Sequence, residues 1–227
     1  MDAGDMVKYA PVSIIAMNPN LMELVFILDR SGSMSGKESD TIGGFNSLVE
    51  KQRKEEGDAV VTVVLFDDQY EVLYDRVPLK DVPEMTTKEY YVRGSTALLD
   101  AVGKTVNHIK AVQDGTEEEV RPAKSLFVII TDGLENASRE YRQSVVKNLI
   151  ETRKKDGWEF LFIGANIDSV TEAAKIGIDA DRAANFECSE AGSARMFSAV
   201  GKVVAHARKS ASKSMAESIP EDWKKDI

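Results

Sequence analysis

Four nearly continuous apolar segments, 21–28, 59–66, 126–130 and 158–163, alternate with stretches whose apolar residues recur every three or four positions. Short apolar runs of this kind read as strands buried on both faces, and the longer period as amphipathic helices lying against them. Helices are predicted over 40–56, with Ile42, Phe45 and Val49 inward, and over 96–112, with Leu98, Val102, Thr105 and Ile109 inward. A third covers 138–155 with Tyr141, Val145 and Leu149 inward, a short fourth 169–176, and a fifth 189–209 with Phe197, Val200 and Val204 inward. Gly57 and Gly157 stop the first and third of these. Asp67-Asp68-Gln69 turns the second strand back into 70–74, where polar and apolar residues alternate, so this strand runs antiparallel at an edge. A weak sixth strand is predicted over 183–188, which would include Cys188, while 75–93, broken by Pro78 and Pro83, reads as irregular.

Strands alternating with helices predict an α/β fold, a doubly wound and mostly parallel sheet with strand order 3-2-1-4-5-6 and helices on both faces. One domain is expected over 21–209, after a lead segment 1–20 and before a polar tail 210–227 that is expected to be partly disordered. No internal repeat or interdomain linker interrupts it.

Composition narrows the function only a little. The 29 basic and 38 acidic residues give a formal charge of −9, which argues against a nucleic-acid partner. Cys188 is the only cysteine, so no internal disulfide forms, in keeping with a reducing compartment. The apolar stretch 12–17 is short and interrupted by Ser13, and Asp2 and Asp5 precede it, so it makes a poor signal peptide. No run reaches the ~20 apolar residues of a membrane helix. A cytoplasmic protein without membrane insertion is the expectation.

The candidate chemistry lies where strands end. Asp29-Arg30-Ser31-Gly32-Ser33 follows the first strand and Thr131-Asp132-Gly133 the fourth, and Gly94-Ser95-Thr96 leads into the second helix. Alternate residues of an extended segment point the same way, so Asp29, Ser31 and Ser33 can converge. In an open α/β sheet the ligand crevice lies at the carboxyl ends of the strands, beside the switch point between strands one and four. Three hydroxyls and two carboxylates are hard oxygen donors suited to Mg2+ or Mn2+, and so few formal charges leave positions for water or an incoming carboxylate.

These segments resemble the metal-ion-dependent adhesion site of the von Willebrand factor type A family, and the resemblance covers about 21–209. It implies a Rossmann-like domain in which Ser31, Ser33 and Thr96 bind the metal directly, and Asp29 and Asp132 directly or through water. It further implies a non-enzymatic protein-binding domain whose bound Mg2+ or Mn2+ takes an Asp or Glu side chain of a partner. The alternative is an accessory subunit of an ATPase- or chelatase-type complex docking through the same site. A metal-dependent phosphoesterase is a third reading.

Blander roles compete for several residues. Gly32–Glu38 lacks the spacing of a phosphate-binding loop, with three residues between Gly32 and Gly36 and Glu38 after Lys37. His108 and His206 fall on predicted helices away from the crevice, so no nucleophile–base pair is visible. Glu135 and Asn136 follow the metal loop and could rim the crevice, but read more simply as solvated loop and helix-start residues. Arg30, Arg93 and Lys124 are candidates for a basic rim facing an acidic partner.

Overall fold

The computed structural model describes residues 21–212 and 214–227; the lead segment 1–20 lies outside the described residues. Six strands, β1 (Met22–Asp29), β2 (Ala59–Phe66), β3 (Tyr70–Pro78), β4 (Lys124–Thr131), β5 (Trp158–Gly164) and β6 (Ala183–Asn185), form one sheet. Its order is β3-β2-β1-β4-β5-β6, as expected, and only the β2–β3 pair is antiparallel. Five helices, α1 (Glu38–Gln52), α2 (Leu98–Asp114), α3 (Gln143–Lys155), α4 (Ser169–Lys175) and α5 (Glu190–Lys209), cover it. Among the described residues no helix is long and apolar enough to cross a membrane.

The two-residue period of the strands divides the core into two layers. Met22, Leu24, Phe26 and Leu28 of β1 join α1 and α5, whereas Val25 and Ile27 join α2, α3 and α4. β4 divides the same way, with Leu126, Val128 and Ile130 on the first side and Phe127 and Ile129 on the second. With both faces covered, the polar side chains of β1 and β4 stand near their ends, while Thr62 in mid-β2 is buried and accepts the Arg76 N–H. The functional groups are therefore confined to the two rims of the sheet.

Three expectations shift. The stripe of α3 is Val146 and Ile150, one residue beyond the reading, and Val145 is 47 % exposed. The reason is that the segment before α3 is held by α2: both Asp100 carboxylate oxygens accept main-chain N–H groups, from Arg139, Glu140 and Tyr141, at 2.8–2.9 Å. The helix then starts at Gln143 instead of 138. β3 runs on to Pro78 through a bulge, where Arg76 takes a positive φ of 51° and its side chain bonds the buried Glu23 carboxylate. The tail is packed where it is described. Met215, Ile219 and Trp223, four residues apart, are buried in the α1/α5 layer, and the Trp223 indole donates to the Asp181 carbonyl at 2.8 Å.

Candidate metal centre

β1 delivers Asp29 to the carboxyl rim, and a 3-10 turn at Gly32–Met34 carries the chain into α1. Asp29 is almost fully buried and fixes two segments at once. One of its oxygens accepts the Ser31 N–H at 2.7 Å, and the other the Thr131 hydroxyl, at the end of β4, at 2.6 Å. The Ser31 and Ser33 hydroxyls lie 3.1 Å apart, and the Thr96 hydroxyl donates to Ser31 Oγ at 3.0 Å. Ser33 in turn donates to Asp132 Oδ1. All five sequence-predicted residues thus meet in one cluster, with Ser33 exposed and the other four buried.

The backbone beneath the cluster has little spare room. A Cβ on Gly133 would stand 3.0 Å from Thr96 Oγ1 and 3.2 Å from Ser33 Oγ. Gly94 takes φ +65°, and a Cβ there would lie 2.1 Å from Asp68 Oδ1. Its carbonyl accepts the Gly32 N–H at 3.1 Å, tying the Ser31 turn to the Thr96 loop.

Thr96 and Asp132 are positioned by a reciprocal cap that the sequence reading missed. The first N–H groups of a helix lack intrahelical partners. Here the loop after Asp132 supplies them: Asn136 Oδ1 takes the Thr96 N–H and Glu135 Oε2 the Leu99 N–H, both at 2.9 Å, and Ser138 Oγ takes that of Asp100 at 3.0 Å. In return the Thr96 carbonyl accepts the Asn136 and Ala137 N–H groups at 3.0 and 3.2 Å. Glu135 and Asn136 are loop residues as read, Asn136 exposed, but their side chains also cap α2. An acidic or amide residue some 35–40 positions away from the helix it caps carries no local signal in the sequence.

The candidate basic rim does not assemble. Arg30 is fully buried and pairs with Asp67 at 3.0 Å and Glu71 at 2.8 Å. Arg93 also binds Asp67, at 2.6 Å. Lys124 sits at the opposite rim, donating to the Ala207 and Ser210 carbonyls. His108 pairs with Asp75 at 2.8 Å, and His206 is exposed on α5. Cys188 is exposed in the loop beyond β6 and is not a strand residue, because β6 ends at Asn185.

Electrostatically the cluster is short of positive charge. Burial pushes the Asp29 carboxyl above its ordinary range, hydrogen bonds from Thr131 and Ser31 offset part of this, and the neighbouring Asp132 adds repulsion. The nearby cation is Lys37, whose Nζ binds Asp132 Oδ2 and donates to the Ser33 carbonyl at 3.0 Å. Burial lowers the Lys37 pKa, but the bonds to Asp132 and Cys188 outweigh it, and the amine stays above the usual lysine value. Lys37 thus answers the Asp132 charge from within the chain. Among the described residues no group of three or more His, Cys, Asp or Glu side chains could hold a metal. The cluster around Asp29 and Asp132 offers only two carboxylates, its other three polar side chains being hydroxyls. Its chemistry, hard oxygens around two acids, fits Mg2+ or Mn2+ better than a softer ion.

The comparisons with known proteins agree with the architecture. The family model for the von Willebrand factor type A domain matches residues 23–200. No curated protein sequence matches the chain. Among solved structures, the vWF domain of the type V pili tip protein Mfa5 from Porphyromonas gingivalis superposes with a TM-score of 0.64 at 11% identity, over 84% of this chain and 97% of that one. A von Willebrand factor type A protein from Catenulispora acidiphila gives 0.58 at 16% identity, over 82% and 42%. Proximal thread matrix protein 1 from the mussel byssus, with a zinc-occupied MIDAS motif, gives 0.57 at 16%, over 84% and 46%. The chain spans less than half the length of the latter two. At these identities the likeness is one of fold.

Proposed function

The chain belongs to the von Willebrand factor type A family, and from that premise we propose that it recognises a protein partner through Mg2+ or Mn2+ held at the carboxyl rim. Members of this family often bind proteins through a metal. In this reading Ser31, Ser33 and Thr96 hold the ion directly, and Asp29 and Asp132 do so directly or through water. When bound, the ion supplies a strong electrostatic anchor for one carboxylate, an Asp or Glu side chain of the partner. Ser33, exposed at the mouth of the cluster, marks the side from which that carboxylate arrives.

The observation that carries the reading is the convergence of the Ser31, Ser33 and Thr96 hydroxyls with Asp132 over the bare backbone of Gly133. Binding is favoured over catalysis because the two histidines lie elsewhere, one paired with Asp75 and one exposed on α5.

A melt in EDTA, with and without MgCl2 or MnCl2, tests it on the wild type and on Asp132→Ala. For a dissociation constant near 0.1 mM, about 10 mM metal stabilises by roughly 2.7 kcal/mol. In a domain of this size that raises Tm by about 5–11 °C. The shift is expected in the wild type alone, with partner capture on immobilised protein reversed by EDTA. No shift in the wild type, with metal-independent capture, would sink the proposal.

A further inference from the structure

Lys37 stands immediately before α1, at its N-cap, with no side-chain cap of its own. This is a poor place for a cation, because the positive end of the helix dipole lies there. Its ammonium nonetheless folds back over the cluster, onto Asp132 Oδ2 and the Ser33 carbonyl. Each Asp132 oxygen then carries one donor from the protein, Ser33 on one and Lys37 on the other. Lone pairs remain on both, but a divalent ion arriving at that carboxylate meets the like charge of the Lys37 ammonium. The ion gains the full attraction of Asp132 only when the Ser33 proton rotates away and the ammonium moves off. Lys37 has somewhere to go, since its side chain is 17 % exposed and sits on a flexible four-carbon stem.

We propose that Lys37 is a tethered competitor of the divalent ion, occupying the acidic cradle in the metal-free protein and setting the concentration at which metal enters. The inference rests on the metal reading above and deepens it. A lysine in place keeps the emptied cluster charge-balanced and folded, and a lysine displaced becomes a free cation at the mouth of the site. The domain would then fill over a higher range of divalent-ion concentration instead of holding its metal permanently.

The test measures Mg2+ and Mn2+ affinity by calorimetry for the wild type, Lys37→Met and Lys37→Arg, alongside melts in EDTA. Lys37→Met keeps the apolar stem and removes the charge. It is expected to bind either metal at least tenfold more tightly than the wild type, yet to melt a few degrees lower in EDTA, where Asp132 loses its counter-ion. Lys37→Arg, which keeps the charge, should stay within about threefold of the wild type. Circular dichroism checks that each variant is folded. Equal or weaker metal binding by Lys37→Met, with the wild type still binding metal, overturns the lysine proposal and leaves the metal centre standing. Absence of metal binding in wild type and Lys37→Met alike overturns both.

Discussion

Asp67 and Asp132 occupy equivalent places. Each stands one residue beyond the end of a strand that flanks β1, and each is buried. Their surroundings could hardly differ more. Asp67 is gripped by the Arg30 and Arg93 guanidinium groups and by the Gln69 N–H at 2.6 Å. Asp132 meets one serine hydroxyl and one lysine ammonium, and three more polar side chains gather beside it without an arginine among them. The charge of Asp67 is answered by planar, permanently protonated donors that belong to the fold. That of Asp132 is answered by groups that can rotate or swing out. One rim of the same sheet thus holds a closed ion cluster that fastens loops and an open one, to which the proposal above assigns an exchangeable cation. The amino rim repeats the closed pattern, with Glu23 bound by Arg76 and the Arg208 guanidinium by the Gln52, Glu55 and Gly57 carbonyls.

The largest effect should come from breaking the closed cluster. Arg30→Ala leaves the buried Asp67 with one cation fewer and frees the half-exposed Glu71, and the loss of a buried partner costs up to about 3–5 kcal/mol. Urea unfolding should register that loss equally with metal or with EDTA. A cost below about 1 kcal/mol would mean that the cluster is not what fastens these loops.

Glu135 comes next, because it joins the open cluster to the rigid frame. Its carboxylate accepts N–H groups from Leu99, Ala137 and Ser138 and the Ser138 hydroxyl. Glu135→Ala removes a cap and should destabilise by about 1–2 kcal/mol. It should also weaken Mg2+ binding, since Thr96 and Asp132 lose their common support, and Glu135→Gln should restore part of both. Unchanged metal affinity in a destabilised Glu135→Ala would separate the cap from the site.

The contrast between the two acids was only half visible in the chain. The strands were legible because continuous apolar runs have one good explanation in an α/β sheet, and the α2 stripe Leu98, Val102, Thr105 and Ile109 is buried as read. Asp29, Ser31 and Ser33 were legible because alternation after a strand places them together before any tertiary contact is known. Thr96 and Asp132 were placed by their positions at element ends beside the switch point and by the family resemblance. What escaped depends on partners distant in sequence. Arg30 sits inside the motif that points to the site, yet its role is set by Asp67, 37 residues away. Lys37 looked like a failed phosphate-loop lysine, and only the fold brings it to Asp132, 95 residues on. The tail looked polar because its buried stripe is three residues in eighteen. The start of α3 was misplaced because Asp100, on another helix, holds the segment before it.

A methyl group sharpens the comparison from the open side. In Gly133→Ala the new Cβ falls 3.0–3.2 Å from Thr96 Oγ1 and Ser33 Oγ, tight enough to push those hydroxyls apart. About a tenfold loss of Mg2+ affinity, near 1.4 kcal/mol, is expected, with urea stability in EDTA nearly unchanged. The same substitution should leave the Asp67 cluster untouched, so the Arg30→Ala cost should be the same in the Gly133→Ala background. Equal metal affinity in Gly133→Ala would show that the hydroxyls do not have to keep their present spacing.

The smallest effect concerns the pH dependence of the closed cluster. Burial works to raise the Asp67 carboxyl, but the Arg93 hydrogen bond, the Gln69 N–H and the Arg30 charge outweigh it and hold the pKa below the ordinary value of 3.8. A carboxylate whose pKa is depressed on folding contributes stability above its unfolded pKa and loses it as pH falls through the folded value. Arg93 is one-third exposed at the side chain, so its share is modest, no more than about 1 kcal/mol. Arg93→Gln should therefore melt slightly below the wild type at pH 6, and the gap should close as both are titrated below the folded pKa of Asp67. A gap that persists unchanged in acid would assign the role of Arg93 to its contact with the Tyr91 ring, 5.4 Å from the guanidinium carbon. The closed cluster would then owe its charge balance to Arg30 alone, and the difference between Asp67 and Asp132 would come down to one buried arginine against one movable lysine.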